Sequence, residues 1–161
     1  MTHKHTRAIA AGIGMLLMAA LQAEPKYAES WVGTWLLNLT KSQYAEGAPR
    51  PQETRTKVEP WGDGLKYTTD TVSASGKRTH TEWKAKFDGR DYRVAVGPTV
   101  DSYALRRIDD HTYEVIAKKN GQPTTVSRSV ISPDGKTRTV TQRGRHAEGD
   151  VVDNVLVFDR E

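Results

Sequence analysis

The sequence predicts an all-β domain, an antiparallel up-and-down meander of about ten strands that closes into a barrel. Three observations carry that expectation. Past residue 30 the apolar pattern has period two, and its segments are rich in Thr, Val, Tyr and Trp, residues suited to a half-buried pleated surface. Turn signals punctuate it at short intervals: Gly62-Asp63-Gly64, Ser75-Gly76, Asp88-Gly89, Asp109-Asp110, Asn120-Gly121, Asp134-Gly135 and Glu148-Gly149. No stretch has a convincing helical period.

The segments read as strands are, in order, 31–39, 54–60, 65–74, 77–87, 91–96, 102–108, 112–118, 124–131, 137–143 and 151–158. Short turns make sequential strands antiparallel neighbours. Such a sheet either keeps two exposed edges or curls and closes, and closure removes an aggregation liability. A sandwich would need long crossing connections. The only long connection, 40–53, contains two prolines and a glycine and is expected to be a loop rather than a helical lid.

Residues 1–23 have the three parts of a secretory leader. Lys4 and Arg7 form a basic start, Ala8 to Leu21 an apolar run of about 14 residues, and Ala23 the expected last residue before cleavage. The run is short for a membrane span, which needs about 20 residues. The prediction is a cleaved signal peptide, 1–23, and one exported domain, 24–161, in the periplasm or outside the cell. That domain, about 140 residues, is of ordinary size and can bury a core without staples. The chain has no cysteine, so it lacks a lipid-attachment thiol and needs no disulfide. Losing Lys4 and Arg7 lowers the formal charge from +4 to +2. The remaining basic residues are scattered, and no nucleic-acid stripe is expected.

Alternation assigns faces. Thr79, Thr81, Trp83, Ala85 and Phe87 share one face of their segment, and His80, Glu82, Lys84 and Lys86 the other. In the last segment Val152, Leu156 and Phe158 oppose Val151, Val155 and Val157, so its inner face stays ambiguous. Segments 65–74 and 137–143 are polar on both faces, which points to a solvated or ligand-filled lumen.

The stretch Trp31-Val32-Gly33-Thr34-Trp35-Leu36-Leu37-Asn38 resembles the opening strand of the calycin superfamily, which includes lipocalins and fatty-acid-binding proteins. The resemblance implies that Gly33 and Trp35 set an indole across one end of the barrel as a plug. With GDGLKYTTD, DGRDY and PDGKTRTV, most of the domain is also similar to a group of small secreted bacterial proteins described as lipocalin-like and uncharacterised. A ten-strand count lies nearer the fatty-acid-binding proteins than the eight-stranded lipocalins. Those proteins carry a helix pair after the first strand, for which 40–53 is too short. They grip the ligand carboxylate with Arg-x-Tyr on the last strand, where this chain has Leu156-Val157-Phe158. The fold is therefore implied and the fatty-acid site is not.

The ligand-binding candidates are large side chains with a polar tip or an unexpected charge: Trp83, Tyr92, Tyr103, Arg107 and Arg128. Arg107 shares a face with Tyr103 and Leu105, and Arg128 alternates with Val126 and Val130. Either would be a lumenal cation able to hold a carboxylate or phosphate if its face turns inward, and both point outward if the register slips by one. His80 and Glu82 could form an acid–base pair or metal ligands, and Asp109-Asp110-His111 could hold a cation. Their surroundings favour solvent and turn chemistry respectively. No nucleophile elbow, phosphate loop or catalytic cysteine is present. No cofactor and no metal site are expected.

Three readings follow. The first is a soluble, non-catalytic barrel that binds a small apolar or amphipathic, lipid-like ligand. The second is a protein-binding module, such as an inhibitor of a secreted protease, presenting the loop 40–53 with Tyr44, Pro49 and Pro51. The third, the least supported, is an enzyme using His80 and Glu82.

Overall fold

The computed structural model describes residues 27–94, 100–146 and 149–161. The segment read as a leader, with Ala23, lies outside the described residues, as do Ala95 and Val96 of the fifth expected strand.

A 3₁₀ turn, Glu29–Trp31, precedes ten strands: β1 (Gly33–Leu37), β2 (Glu53–Trp61), β3 (Gly64–Val72), β4 (Arg78–Lys86), β5 (Tyr92–Arg93), β6 (Ser102–Arg107), β7 (Thr112–Lys119), β8 (Gln122–Ile131), β9 (Thr137–Arg145) and β10 (Val151–Arg160). They form one antiparallel sheet in the order β4-β3-β2-β1-β10-β9-β8-β7-β6-β5. Each strand pairs with its neighbour in sequence, and β1 joins β10 with Trp35 opposite Arg160 and Leu37 opposite Phe158. The ring is interrupted between β4 and β5, which share no ladder. The result is a nearly closed ten-stranded barrel.

Local chemistry accounts for the boundaries. Asn120 and Gly121 both have positive φ, 50° and 75°, as a two-residue hairpin turn between β7 and β8 demands. Among the described residues the expected fifth strand is two residues long, Tyr92 and Arg93 pairing with Tyr103 and Ser102 of β6. The connection 38–52 contains no helix. It stays beside β10 instead, Gln43 exchanging backbone hydrogen bonds of 2.7 and 2.9 Å with Val155.

One end of the barrel is a packed floor. Trp31, Trp35, Leu65, Leu105 and Tyr113 are fully buried there. The Trp31 ring sits 4.7 Å from Tyr113 and 5.3 Å from Phe87. Trp35 Nε1 donates to the Trp31 carbonyl at 3.3 Å. Over the Trp35 ring, 4.3 Å from its centre, lies the Arg160 guanidinium. Its three nitrogens donate to the carbonyls of Gly135, Val32 and Ser30 at 2.6, 2.6 and 2.5 Å. Arg160 thereby ties the last strand, the β8–β9 turn and the N-terminal 3₁₀ turn to one indole.

This clamp explains the glycine of the Gly-x-Trp sequence. Gly33 has φ +145°, and a Cβ there would stand 2.3 Å from an Arg160 nitrogen. Alanine at this position therefore faces both an unfavourable backbone and a displaced clamp. Gly33→Ala is expected to lower unfolding free energy by about 1–3 kcal/mol, read from the midpoint of urea denaturation.

Asp159, beside the clamp, accepts a hydrogen bond from Asn38 Nδ2 at 2.6 Å and pairs with Lys41 at 3.2 Å. The Asn38 hydrogen bond, then Lys41, lowers its pKa below the ordinary aspartate value. A depressed folded-state pKa means stabilisation complete above the unfolded value, about pH 4, and lost as pH falls through the folded value. Asp159→Asn is expected to flatten part of the fall in urea midpoint between about pH 4 and pH 2.

Candidate functional site

Above the floor the inner wall changes character. The inward residues of the middle rows include Thr54 and Thr56 on β2, Thr69 on β3, Ser127 and Ser129 on β8, and Gln142 on β9. Small hydroxyl side chains cannot fill a barrel of this girth, so space remains. A cavity of about 230 Å³ lies among these residues, walled also by Tyr67, Trp83, Tyr103, Val115, Arg138 and Val140. A larger cavity, about 780 Å³, adjoins it toward the opposite end from the floor. The two share Thr54, Gln142, Leu156 and Phe158 as wall residues. The mouth is formed by Tyr44, Pro49 and Pro51 of the long connection, and by His146, Asp150 and Val151 before and at the start of β10. Leu37, Val152, Leu156 and Phe158 supply an apolar flank. The larger cavity alone lies within the size range of small-molecule sites, about 300–1,000 Å³.

Aromatic rings span the interrupted side of the barrel. Trp83 of β4 stacks on Tyr67 of β3 at 4.3 Å, nearly parallel at 6°. Its other face meets Tyr103 of β6, again at 4.3 Å. Side-chain stacking thus bridges β4 to β6 where ladder hydrogen bonds are missing. The Tyr67 hydroxyl donates to the Tyr113 hydroxyl at 2.6 Å. Burial first, then the adjacent Tyr113 hydroxyl, raises the Tyr67 pKa well above its ordinary value, with Arg138 opposing. Burial likewise raises the pKa of Tyr103. Both phenols carry their protons at any physiological pH and can act as donors.

The expected ligand residues separate into two groups. Trp83 and Tyr103 come together on the cavity wall. Tyr92 does not reach the cavity; its ring packs edge-on against Trp61 at 5.8 Å and its hydroxyl donates to Asp88 at 2.8 Å. Arg107 lies on the face of Tyr103 and Leu105 but at the rim of the floor, paired with Asp110 and 5.8 Å from the Trp31 ring. Arg128 takes the outward of the two placements its alternation allowed. It is exposed together with Val126 and Val130, because Ser127, Ser129 and Ile131 take the inner face of β8. A one-residue difference in register exchanges every side chain between faces. Gly33 and Trp35 both lie in the floor. The ambiguous last strand resolves with Val152, Leu156 and Phe158 inward.

Among the described residues, a buried cation on the cavity wall is Arg138, not one of the expected ligand residues. It is 4 % exposed and lies opposite Phe158 in the β9–β10 register. Its guanidinium sits 4.4 Å from the Phe158 ring and 5.6 Å from that of Trp35. Segment 137–143 looks polar on both faces, so alternation alone cannot choose between Arg138 and Thr139. The signals were Val140, buried on the same face two residues on, and the cross-strand neighbours Ile131 and Phe158, both inward and both opposite Arg138 in register.

His80 stands on the outer face, exposed, with Nδ1 2.6 Å from Asp70. Glu82 pairs with Lys66 at 3.0 Å rather than with His80. Asp109 caps its turn, accepting from the His111 backbone N–H at 2.8 Å.

No protein-family model matches the chain, and no curated protein sequence matches it significantly. Solved structures do. One is a zebrafish ileal bile acid-binding protein complexed with cholic acid, with 14% identity and a TM-score of 0.53 over 82% of this chain and 99% of that one. Another is a Schistosoma mansoni fatty acid binding protein in complex with arachidonic acid, with 16% identity and a TM-score of 0.53 over 83% and 97%. The fold is a fatty-acid-binding-protein-like barrel. Within it, the helix pair expected between the first two strands of that family is replaced by the helix-free connection 38–52.

An exposed pair such as His80–Asp70 is worth little. His80→Ala is expected to change unfolding free energy by less than about 0.5 kcal/mol, checked by urea denaturation.

Proposed function

We propose that this protein is an exported, non-catalytic carrier that takes a small apolar or amphipathic, lipid-like ligand into the barrel lumen. The observation that carries the reading is the cavity itself. It runs from the loop-lined mouth down to the aromatic floor, with an apolar flank on one side and hydroxyls on the other. A lumen meant only to hold the fold together would be packed to the density of a core. The two solved structures of this fold bind, by their descriptions, cholic acid and arachidonic acid, which supports the ligand class. Export rests on the basic start and apolar run of residues 1–23.

The placement of the long connection favours the carrier over the protein-binding module. Tyr44, Pro49 and Pro51 line the mouth of the cavity rather than forming a detached presenting loop. Burial raises the Tyr44 pKa, with the Arg50 guanidinium 5.6 Å from its ring opposing. The enzyme reading has no comparable support, since His80 and Glu82 are engaged with Asp70 and Lys66 on the outer wall.

Protein stripped of lipid should take up a fluorescent fatty-acid analogue saturably, one per chain, with micromolar or tighter affinity, about −8 kcal/mol. Binding should quench the tryptophan emission, and Trp83→Phe should remove most of that change. Absence of saturable uptake across fatty acids, bile acids and neutral lipids would sink the carrier reading. Cell fractionation with N-terminal sequencing tests export; the expected product begins at Glu24 and sits outside the cytoplasm.

A further inference from the structure

A row of polar side chains crosses the barrel wall at one level. Ser127 of β8, Gln142 of β9 and Asn154 of β10 stand opposite one another in the two ladders. From the long connection the Ala45 backbone N–H meets Asn154 Oδ1 at 3.0 Å. That contact sets the direction of the whole row. A backbone N–H can only donate, so Asn154 turns its oxygen to Ala45 and its Nδ2 to Gln142 Oε1, 3.5 Å away. Gln142 in turn directs Nε2 to Ser127 Oγ at 3.4 Å. Both side-chain bonds are longer than the usual range, about 2.7–3.2 Å. Each amide nitrogen carries two N–H groups and engages one of them, so each keeps a donor. Tyr44 belongs to the same cavity wall, and its hydroxyl is shut off from solvent without a hydrogen-bond partner. Such a group is costly until something bonds to it. Burial raises its pKa, so it too remains a donor. The carboxylates on the wall of this larger cavity are Glu46 and Asp150, and among the described residues no lysine or arginine lines it. Arg50 packs against the Tyr44 ring, 5.6 Å from its centre, and is not part of the wall.

We propose that Tyr44, Asn154 and Gln142 form a recognition site for an uncharged carbonyl in the mouth-end cavity, and that the ligand is a neutral acyl ester or acyl amide. Its carbonyl oxygen accepts from the Tyr44 hydroxyl and from the two amide N–H groups that the row leaves over. A free carboxylate there would face Glu46 and Asp150 with no cation on the wall to offset the repulsion. A carbonyl takes the same donors and brings no charge to compensate. Leu37, Leu156 and Phe158, on the apolar flank of the same cavity, take the acyl chain. The inference rests on the carrier reading and adds the charge state of the ligand and the group by which it is recognised.

The test is displacement of the neutral dye Nile red from the delipidated full chain at pH 8 by methyl decanoate, N-methyldecanamide, undecane and decanoate. Wild type, Tyr44→Phe and Gln142→Leu are compared. Wild type should bind the ester and the amide about ten-fold or more tighter than undecane, the worth of two or three neutral hydrogen bonds, and tighter than decanoate. Tyr44→Phe should weaken the ester and the amide about three-fold or more while holding undecane within about two-fold of wild type. Gln142→Leu should narrow the same preference. The thermal midpoint of Tyr44→Phe should equal or exceed that of wild type, because a buried hydroxyl without a partner has been removed. Equal wild-type affinity for ester and undecane overturns the carbonyl site and leaves the carrier standing. Decanoate binding tighter than its methyl ester does the same, as does a Tyr44→Phe variant that keeps the full preference. A Tyr44→Phe variant that unfolds at lower temperature and weakens all four ligands alike also overturns the site, since it marks a packing role. No binding of the dye or of any of the four to wild type overturns the site and counts against the carrier itself.

Discussion

The contact on which the rest of the barrel depends is a cation laid over an indole. Arg160, next to the last residue of the chain, covers Trp35 of the first strand and donates to carbonyls from three separate places. Each of those carbonyls belongs to backbone that no ladder satisfies: the N-terminal turn, the residue before β1 and the β8–β9 turn. Carbonyls partly withdrawn from water need partners, and one planar five-donor group supplies them together. The indole below it rests on Trp31, which in turn meets Phe87 and Tyr113. A sheet that could have remained an open ribbon is thereby sealed at one end.

The other half of the molecule is organised by what the floor does not fill. Packing is complete where Trp, Leu, Tyr and Phe face inward and incomplete where Thr and Ser do. Arg138 sits at the boundary between these regions, close enough to the aromatic floor to rest on two rings and high enough to face the cavity. The Tyr67–Trp83–Tyr103 stack has a double position as well. It is part of the cavity wall and also the bridge across the side where β4 and β5 do not pair.

The architecture was largely legible in the sequence, because period-two alternation and Asn-Gly or Asp-Gly turns are local signals. All ten segments correspond to strands, and most differ from them by one or two residues. The fifth is two residues long among those described, its ladder to β6 being Tyr92 and Arg93 alone. Site residues were legible only where alternation was unambiguous. Trp83 sits among Thr81 and Ala85, so its face was readable. Arg128 sits between two valines and yet points outward, because the small serines on its other side are the inward ones. Arg138 lies in a run of Thr and Arg whose single apolar residue, Val140, shares its face, and cross-strand register brings Phe158 opposite it. Register is a tertiary property, and a single strand does not carry it.

The pairing of β1 with β10 has a consequence for timing. Trp35 lies opposite Arg160 in that ladder, 125 residues apart in a chain of 161. Contacts of such sequence separation are the slowest to form, since the entropy of closing so large a loop must be met before any stabilisation is returned. The hairpins between neighbouring strands can form as they emerge from the ribosome, but the seam cannot, because one of its two edges is the last strand to be made. Until β10 emerges the molecule is a curling ribbon with its Trp35 side uncovered, and only then does it become a vessel.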